Sequence, residues 1–263
     1  MSLRYAPHVV GPSLLTVQQL LGIDIGGTGI KGAPVDVERG TLAADRYRLL
    51  TPQPATPEAV AKTVAEVVGH FSLDGRVGGT FPAVIQHGVA LTAANVDKRW
   101  IGTDVRATLE QTTSRPFTVI NDADAAGVAE MEFGAGKHRQ GLVVMVTLGT
   151  GIGTAVFVDG KLVPNTELGH IEVDGRDAET RASEKVREDR GLSWKKWGRR
   201  VNAYLQKLEA LLNPELIVIG GGISKKPEKF FGYLDTRAEL VSAKLRNEAG
   251  IIGAAVAAEH EED

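Results

Sequence analysis

Three short clusters of glycine, each placed directly after a run of apolar residues, limit the folds that this chain can adopt. The runs are Leu20–Ile25, Leu142–Leu148 and Leu216–Ile219, and the clusters that follow them are Gly26-Gly27-Thr28-Gly29, Gly149-Thr150-Gly151-Ile152-Gly153 and Gly220-Gly221-Gly222. Each pairing predicts a buried strand that ends in a tight turn. Because glycine has no side chain, backbone N–H groups in such a turn can approach an anion closely, as in a phosphate-binding loop.

The first two clusters belong to a pattern that occurs twice. In both cases a second β-like run follows the turn, Ile30–Val37 in the first half and Thr154–Val158 in the second, and the two units lie about 125 residues apart. This repetition predicts two halves of similar architecture. The first half opens with a β-meander, whose third strand is predicted over Thr41–Leu50.

The remaining segments combine short strands with amphipathic helices, which predicts an α/β fold. One predicted helix begins at Pro57 with Thr56 as its N-cap, and others cover Asp104–Thr112, Ala123–Phe133, Trp194–Asn213 and Ile251–His260. Further strands are predicted within Val77–Ala90, at Phe117–Ile120 and, after the Asp159-Gly160 turn, at Lys161–Val163.

Composition excludes several classes of protein. The chain has 263 residues, enough for one large or two small domains, and its 43% hydrophobic and 24% charged residues exclude a disordered or collagen-like chain. The longest clean apolar stretch, Leu142–Val146, is far too short to span a membrane. A net charge of -3 gives no global attraction to nucleic acid or to an anionic membrane surface. The absence of cysteine excludes thiolate catalysis and cysteine-based metal sites, and it fits a cytoplasmic location.

The glycine clusters do not match the common nucleotide-binding motifs. Gly27 to Gly32 has the spacing G-x-G-x-x-G, but the residues after it continue as a strand, whereas a dinucleotide fingerprint requires a helix there. Neither glycine-lysine pair is followed by Ser or Thr, as a P-loop requires. A single cluster is typical of a plain hairpin. Three clusters, with Asp24 directly before the first turn, favour a phosphate site in which that carboxylate holds Mg²⁺ directly or through water.

The three clusters resemble the two phosphate motifs and the adenosine motif of the actin-like sugar kinases. Within that superfamily, Asn121-Asp122-Ala123-Asp124-Ala125-Ala126 and Glu167-Leu168-Gly169-His170 resemble the ROK family of repressors, open reading frames and kinases. Segments spread over most of the chain are similar to the polyphosphate glucokinase branch of that family: IDIGGTGIKGAPVD, TPQPATP, AANVDKRWIG, NDADAAG, TLGTGIGTA and PNTELGHIEV. The resemblance implies two actin-like (ribonuclease H-like) domains with a cleft between them. Residues 20–121 with the C-terminal helix 250–263 would form one domain, and residues 122–249 the other.

The resemblance also implies roles for individual residues. Asp122 would be the catalytic base, a role that suits a carboxylate held where a buried strand ends and a helix begins, and it would also cap that helix. The residues that would hydrogen-bond the hexose are Asn95, Asn121, Asp122, Glu167, His170 and Glu179. Those that would bind the donor phosphates are Asp24, Gly26, Gly27, Thr28, Lys31, Gly149, Thr150, Gly151, Gly221, Gly222, Lys225 and Lys226, with Asp24 also as the Mg²⁺ ligand.

The chain departs from the family pattern at one place. Many ROK members bind zinc through one His and three Cys just after the Gly-His pair, and this chain has no cysteine. The acidic residues of the same segment cannot replace three thiolates, so no zinc site is expected. Residues 173–181 are instead expected to hold His170 and Glu179 by packing or hydrogen bonds.

A polyphosphate donor requires basic residues near the site. The candidates are Lys31, Lys137-His138-Arg139, Lys195-Lys196-Arg199-Arg200 and Lys225-Lys226-Lys229, each of which is also compatible with an ordinary solvated surface. Lys225 and Lys226 are preferred because they lie just past the third glycine turn.

Together these features predict a Mg²⁺-dependent kinase that transfers a phosphoryl group from inorganic polyphosphate or ATP to the 6-hydroxyl of glucose, with mannose as a further acceptor. An ATP-only hexokinase of the same fold stays open, because the glycine motifs serve either donor. The other alternative is a non-catalytic, sugar-responsive regulator. Regulators of this family carry an N-terminal helix-turn-helix, and the 19 residues before the first strand show no such pattern. A homodimer is compatible with the resemblance.

Overall fold

The computed structural model describes residues 18–94 and 96–261 of the chain. Within these residues, two mixed β-sheets lie on either side of a central helix layer, and further helices cover the outer face of each sheet. None of the helices in this part of the chain is both long and apolar enough to cross a membrane.

The first half of the chain builds a six-stranded sheet. Its elements are β1 Gln19–Ile25, β2 Ile30–Asp36, β3 Thr41–Leu42, β4 Tyr47–Leu49, α1 Pro57–His70, β5 Val77–Phe81, β6 Ile85–Gln86, β7 Val89–Ala90, α2 Val105–Thr113 and β8 Phe117–Asn121. The strand order is β3-β2-β1-β5-β8, with β4 as an additional partner of β2, while β6 and β7 form a separate hairpin. β1 and β2 are antiparallel across the first glycine turn, whereas β1, β5 and β8 run parallel.

The second half repeats this arrangement in a five-stranded sheet. Its elements are α3 Asp122–Phe133, β9 Leu142–Leu148, β10 Ile152–Val158, β11 Lys161–Val163, β12 Glu172–Val173, β13 Arg176–Asp177, α4 Glu179–Ala182, α5 Glu184–Asp189, α6 Trp194–Leu212, β14 Leu216–Gly220, β15 Glu239–Ser242 and α7 Ala249–His260. The order is β11-β10-β9-β14-β15, and β12 pairs with β13 in a separate hairpin. β9 and β10 are antiparallel across the second glycine turn, and β14 runs parallel to β9. The α/β class and the two similarly built halves are confirmed.

Two predicted strand boundaries are wrong. The strand predicted over Thr41–Leu50 is two short strands, with β3 paired to the residues after Pro34 in β2 and β4 to the residues before it. Proline has no backbone N–H, so the ladder on that side of β2 lacks a donor at this position. β10 begins at Ile152 rather than at Thr154, because Ile152 already pairs with Leu148 of β9.

The central layer consists of α7 and α3, which pack against each other. α7 lies on β1, β5 and β8, and α3 lies on β9 and β10. Glycine makes this close packing possible: a Cβ on Gly22 or Gly78 would overlap backbone carbonyl groups of α7, and one on Gly253 would overlap the carbonyl of Ala125 in α3. The missing side chains therefore set the distance between the helix layer and the first sheet.

The outer faces are covered by larger apolar side chains. α1 and α2 pack on the first sheet through residues that include Val64, Val67 and Leu109. α6 packs on the second sheet through Trp197, Val201, Leu205 and neighbouring residues, the stripe that its helical periodicity predicts. Each sheet is thus buried on both faces, which accounts for the nearly continuous apolar runs in β9 and β14.

The glycine contact between β5 and α7 leads to a test of stability. We expect Gly78→Ala to lower the free energy of unfolding by about 3 kcal/mol, because the new methyl group meets a backbone carbonyl that cannot rotate away. Gly69→Ala is the matched control, since Gly69 lies in α1 with open space around it, and this change should be neutral or stabilise by about 0.5–1 kcal/mol. Urea titrations of both variants measure the difference. Equal stability of the two variants would contradict the proposed packing.

Candidate active site

The strand ends of the first sheet bring the first glycine turn and Asp122 to one edge. Asp24 of β1 pairs in register with Thr80 of β5, and Phe81 of β5 pairs with Asn121 of β8. Because these three strands are parallel, their carboxyl ends meet at the same edge of the sheet, where α/β proteins commonly place their ligands. Asp122 follows β8 directly at that edge.

The first glycine turn is held in shape by the segment that follows β4. Gly26 N–H donates to the carbonyl of Gly29 at 3.0 Å, which closes the turn. The Thr51 hydroxyl donates to the Gly26 carbonyl, and Gln53 Nε2 approaches the carbonyl of Gly27 at 3.4 Å. The proline-rich segment after β4 therefore supports the turn in addition to connecting β4 with α1.

Asp24, the predicted Mg²⁺ ligand, has two polar neighbours at the end of β1. Its Oδ1 accepts a hydrogen bond from the Thr80 hydroxyl at 3.1 Å, and its Oδ2 lies 2.9 Å from Nζ of Lys31. The Thr80 hydroxyl in turn accepts from the Ile25 N–H, so that Thr80 fixes both the carboxylate and the backbone next to it. Lys31, predicted to bind phosphate, is paired with a carboxylate in this structure.

Asp122 is the first residue of α3, and Asn121 is the residue that caps this helix. Asn121 Oδ1 accepts from the N–H groups of Ala123 and Asp124, and its amide donates to the carbonyl of Ala83 at 3.0 Å. Asp122 Oδ1 accepts from the Ala123 N–H at 2.9 Å. The capping role predicted for Asp122 therefore falls mainly to Asn121. The predicted sugar contact of Asn121 would use the second N–H of its buried amide, and it stays a prediction.

The surroundings of Asp122 make it more basic than an ordinary aspartate. Asp122 is exposed to water at the edge of the sheet, but many protein atoms lie close around its carboxylate. Burial raises the pKa of Asp122 to about 6, the negative charges of Asp24 and Glu167 add to the rise, and the Ala123 N–H opposes it. Such a carboxylate is ionised at neutral pH and still accepts a proton readily, as a general base must.

Asp124, which is buried, and Asn165, which is half-buried, form a hydrogen-bonded link beside Asp122. Asp124 Oδ2 accepts from the Asn165 N–H at 2.7 Å, and the Asn165 side chain exchanges two hydrogen bonds with the backbone of Ile85 at 2.7 and 2.8 Å. Burial raises the pKa of Asp124 to about 7. The hydrogen bond from the Asn165 N–H opposes this rise, and the charges of Asp122 and Glu167 add to it. Asn165 thus joins the β6–β7 hairpin to the loop after β11. No motif in the sequence indicates this contact.

The second and third glycine turns lie next to each other at the edge of the second sheet. β9 and β14 are parallel, with Gly220 paired to Thr147, and Gly221 has a φ of +81° and lies against the backbone of Leu148. α5 begins beside both turns: the Lys185 N–H donates to the carbonyl of Gly149 at 3.0 Å, and Glu184 lies beside Gly222. Both predicted turns therefore belong to one surface.

The predicted sugar carboxylates connect the two edges. Glu179 Oε2 accepts from the Ile152 N–H at 2.8 Å, directly after the second glycine turn, and a Cβ on Gly151 would overlap the same carboxylate. Burial raises the pKa of Glu167, the charge of His170 lowers it, and the charge of Glu179 adds to the rise. A Cβ on Gly153 in the second cluster would lie 2.8 Å from Cβ of Ala123, the neighbour of Asp122, so the second turn and Asp122 adjoin one another. The charge of Glu167 also adds to the rise in the pKa of Asp122.

His170 is oriented by the short β12–β13 hairpin. Its Nδ1 lies 2.8 Å from Oδ2 of Asp177, and this hydrogen bond is the main reason that the pKa of His170 is raised. Partial burial opposes the rise, and the charges of Glu179, Asp177 and Glu167 add to it. Arg181 closes the hairpin by donating to the Val173 carbonyl at 2.7 Å and to Asp174 at 2.9 Å. Residues 173–181 hold His170 by hydrogen bonds, as expected for a segment without cysteine.

The other residues predicted to bind the donor differ in their exposure and in their contacts with the protein. Lys225 and Lys226 are exposed just after the third turn, and the charge of Lys226 opposes the rise that burial causes in the pKa of Glu184. Thr28 is exposed in the first turn and Thr150 in the second. Arg139 forms an ion pair with Glu239 at 2.7 Å, and Arg200 donates to a backbone carbonyl, so these two members of the other basic clusters contact the protein itself. Asn95 lies outside the described residues.

The part of the chain that the structure describes contains no group of three or more His, Asp or Glu side chains that could hold a metal ion by themselves. Mg²⁺ commonly binds to one or two carboxylates together with phosphate oxygens of a substrate. Asp24 beside the first glycine turn fits this kind of site, in which most ligands belong to the donor and to water.

Two sheets that each present a strand, a glycine turn and a second strand, with carboxylates at the adjoining edges, define a protein of the actin-like ATPase fold. Comparison with known sequences gives the family. The chain belongs to the ROK family, whose model matches residues 20–186.

Individual relatives resemble the chain over nearly its whole length. It is 51% identical over 247 residues to a polyphosphate glucokinase of Mycobacterium tuberculosis, covering 94% of this chain and 93% of that protein. The crystal structure of an inorganic polyphosphate/ATP-glucomannokinase from Arthrobacter sp. strain KM is 53% identical, with a TM-score of 0.88 over 92% of this chain and 99% of that one. A ROK glucokinase from Streptomyces griseus, solved with glucose and AMPPNP, is 25% identical, with a TM-score of 0.79 over 93% of this chain and 100% of that one.

The contact between Asp177 and His170 leads to a test by titration. We expect Asp177→Asn to lower the pKa of His170 towards its ordinary value, because the hydrogen bond to a charged acceptor is lost. The His170 ring signals in a pH titration followed by NMR measure this shift. Asp174→Asn is the matched control, since Asp174 lies on the same hairpin but pairs with Arg181. An unchanged His170 titration in the Asp177 variant would argue against the contact.

Proposed function

We propose that this chain is a glucokinase that uses inorganic polyphosphate or ATP as the phosphoryl donor and forms glucose 6-phosphate. The observation that supports this most strongly is the 51% identity to polyphosphate glucokinase over 94% of the chain. The similar glucomannokinase uses inorganic polyphosphate and ATP, as its name states, which favours both donors over an ATP-only hexokinase. Phosphoryl transfer requires a base such as Asp122, whereas a sugar-responsive regulator does not, so the raised pKa of Asp122 favours an enzyme over a regulator.

In the proposed reaction, Asp122 is the catalytic base. The 6-hydroxyl oxygen of glucose attacks the terminal phosphorus of the donor, the bond from that phosphorus to the bridging oxygen breaks, and the shortened donor leaves. Asp122 accepts the hydroxyl proton and later releases it to water. Its pKa of about 6 suits this step, because the group is ionised before the attack and becomes a better proton acceptor than an ordinary aspartate.

Two sets of residues are proposed to position the substrates. Glu167, His170 and Glu179, with Asn95 and Asn121, would hydrogen-bond the sugar, since carboxylates, amides and imidazole match the donors and acceptors of its hydroxyl groups. The donor phosphates would lie against the three glycine turns, with Lys225 and Lys226 at the third turn as a further contact for polyphosphate. Mg²⁺ with Asp24 as its protein ligand would neutralise phosphate charge when it binds with the donor.

The domain division stays part of the proposal. Residues 20–121 with the C-terminal helix would move against residues 122–249, so that closure over both substrates excludes water, which otherwise competes as a phosphoryl acceptor. The packing of α7 on the first sheet supports the assignment of that helix to the first domain. Mannose as a second acceptor, a homodimer and a cytoplasmic location also stay predictions.

The donor can be tested directly. We expect glucose 6-phosphate to form with Mg²⁺ and nucleotide-free polyphosphate, and also with Mg²⁺ and ATP, in parallel coupled assays. Reactions without Mg²⁺ are the control for metal dependence, and mannose is tested as the second acceptor. Turnover with ATP alone would exclude polyphosphate as a donor. Sugar binding without turnover on either donor would favour the regulator.

Asp122 can be tested by substitution and by pH. We expect Asp122→Asn to lower kcat by about 10²–10⁴-fold while glucose still binds, because the amide keeps the hydrogen bond from Ala123 and loses only the basic oxygen. In the unchanged enzyme, kcat/KM should fall about tenfold for each pH unit below about 6, since the base must be ionised. Full turnover of the variant with normal glucose affinity would exclude Asp122 as the base.

A further inference from the structure

Four polar side chains lie in one row across the first sheet, at the edge where the first glycine turn begins. The backbone register pairs Thr80 with Asp24, Asp24 with Lys31, and Lys31 with Arg48. Residues paired directly across neighbouring strands point to the same face of a sheet. The row therefore joins β5, β1, β2 and β4 and ends in the guanidinium group of Arg48.

The first three members of the row satisfy one another. The carboxylate of Asp24 accepts from the Thr80 hydroxyl and pairs with Nζ of Lys31 at 2.9 Å. The negative charge of Asp24 thus offsets the positive charge of Lys31. A phosphate at the first turn meets little net charge from these two side chains.

Arg48 is different, because its charge has no such partner. Among residues 18–94 and 96–261, no carboxylate lies within ion-pair distance of its guanidinium group. Its single hydrogen bond within this part of the chain is from Nη2 to the carbonyl of Thr28, at 3.2 Å. A guanidinium group has five N–H donors, so most of them are available to a ligand.

The hydrogen bond to Thr28 places that guanidinium group against the phosphate turn itself. A Cβ on Gly29 would lie 2.6 Å from Nη2 and 2.7 Å from Nε of Arg48, so the arginine lies directly over this glycine. The side chain is exposed rather than buried under the turn. Nothing in the local sequence around Arg48 indicates this position, because only the pairing of β4 with β2 brings it to the turn.

We propose that Arg48 is a donor-binding residue, whose guanidinium group binds phosphate oxygens of the donor at the first glycine turn. The inference rests on the proposed function and extends it to a residue outside the glycine motifs. A planar guanidinium group binds two phosphate oxygens at once, in a geometry that lysine cannot reproduce. Asp24 of this row lies at the same edge of the sheet as Asp122, the proposed base, so a donor at the first turn would place here the phosphates nearest to the transferred group. Those phosphates are common to polyphosphate and ATP, so Arg48 would serve both donors.

The test compares Arg48→Gln and Arg48→Lys with a control arginine. Arg39→Gln is the matched control, since Arg39 is exposed just beyond the opposite end of β2, where it pairs with Asp36. For each variant, KM is measured for polyphosphate, for ATP and for glucose, at two ionic strengths. Binding of AMPPNP to each variant is measured by calorimetry, which needs no turnover, and thermal unfolding reports whether the fold is intact.

We expect Arg48→Gln to raise KM for both donors and the Kd for AMPPNP by about tenfold, the loss of one charge-assisted pair of hydrogen bonds. KM for glucose should stay unchanged. Arg48→Lys should recover part of the donor affinity, because it restores the charge without the planar geometry. Donor KM should also depend less on salt in Arg48→Gln, since one screened charge contact is gone. Arg39→Gln should match the unchanged enzyme.

Three results would overturn the assignment. Donor KM and AMPPNP affinity equal to those of the unchanged protein would show that Arg48 does not contact the donor. An effect on one donor only would exclude a contact with the shared phosphates. Equal changes in donor KM, glucose KM and melting temperature, with no recovery in Arg48→Lys, would show that Arg48 only supports the turn through Thr28. Failure of the proposed function is distinguishable, because the protein with Arg48 intact would then form no glucose 6-phosphate with either donor.

Discussion

The parallel register of β1, β5 and β8 is the constraint on which the site depends. It fixes the height at which each strand leaves the sheet, and so places Asp24 and Asp122 at one edge although nearly a hundred residues separate them in the chain. That register is held by α7, which can lie close to the sheet only because Gly22 and Gly78 have no side chain. The same helix packs on α3, whose first residue is Asp122. Packing in the central layer therefore also determines the position of Asp122, the proposed base.

The raised pKa of Asp122 also lowers the stability of the folded protein at neutral pH. Because the pKa of Asp122 in the folded protein lies above the ordinary value of 3.8, the folded state binds this proton more tightly than the unfolded chain does. Stability therefore falls as the pH rises from about 4 to about 6, and it stays lower above that range. Asp124, whose pKa is raised to about 7, likewise lowers the stability as the pH rises, here from about 4 to about 7. The site keeps two destabilised carboxylates side by side, which is common where a protein needs a strong base at neutral pH.

The sequence predicts the features that depend on residues close together in the chain. It does not predict contacts that depend on the pairing of distant segments. The strand and turn units, α6 and the edge position of Asp122 follow from residues close together in the chain. Arg48 and Asn165 could not be predicted, because each reaches the site through pairing with a distant segment. The sequence predicts that residues 173–181 orient His170, and the Asp174-Gly175 turn is a local signal for the hairpin in this segment. The individual contact between Asp177 and His170 does not follow from that signal. Pro34 carried a usable signal: its missing N–H explains why the third strand is divided.

In the proposed function, the distribution of charge separates recognition of the two substrates. Four carboxylates, Asp24, Asp122, Glu167 and Glu179, would adjoin the place where the anionic donor reacts, and each would repel it. The charge of Lys31 offsets that of Asp24, and the Ile152 N–H donates to Glu179. In the proposed function, the attraction for the donor would come from turn N–H groups, from Mg²⁺ bound with the donor and from exposed cations such as Arg48. The proposed sugar ligands His170 and Glu179 are instead held by contacts within the second half of the chain. Substitutions among these exposed cations would therefore change the affinity for the donor without altering the proposed sugar site. Because the turn N–H groups and Arg48 would meet phosphates common to both donors, one fold could accept both a nucleotide and an inorganic chain.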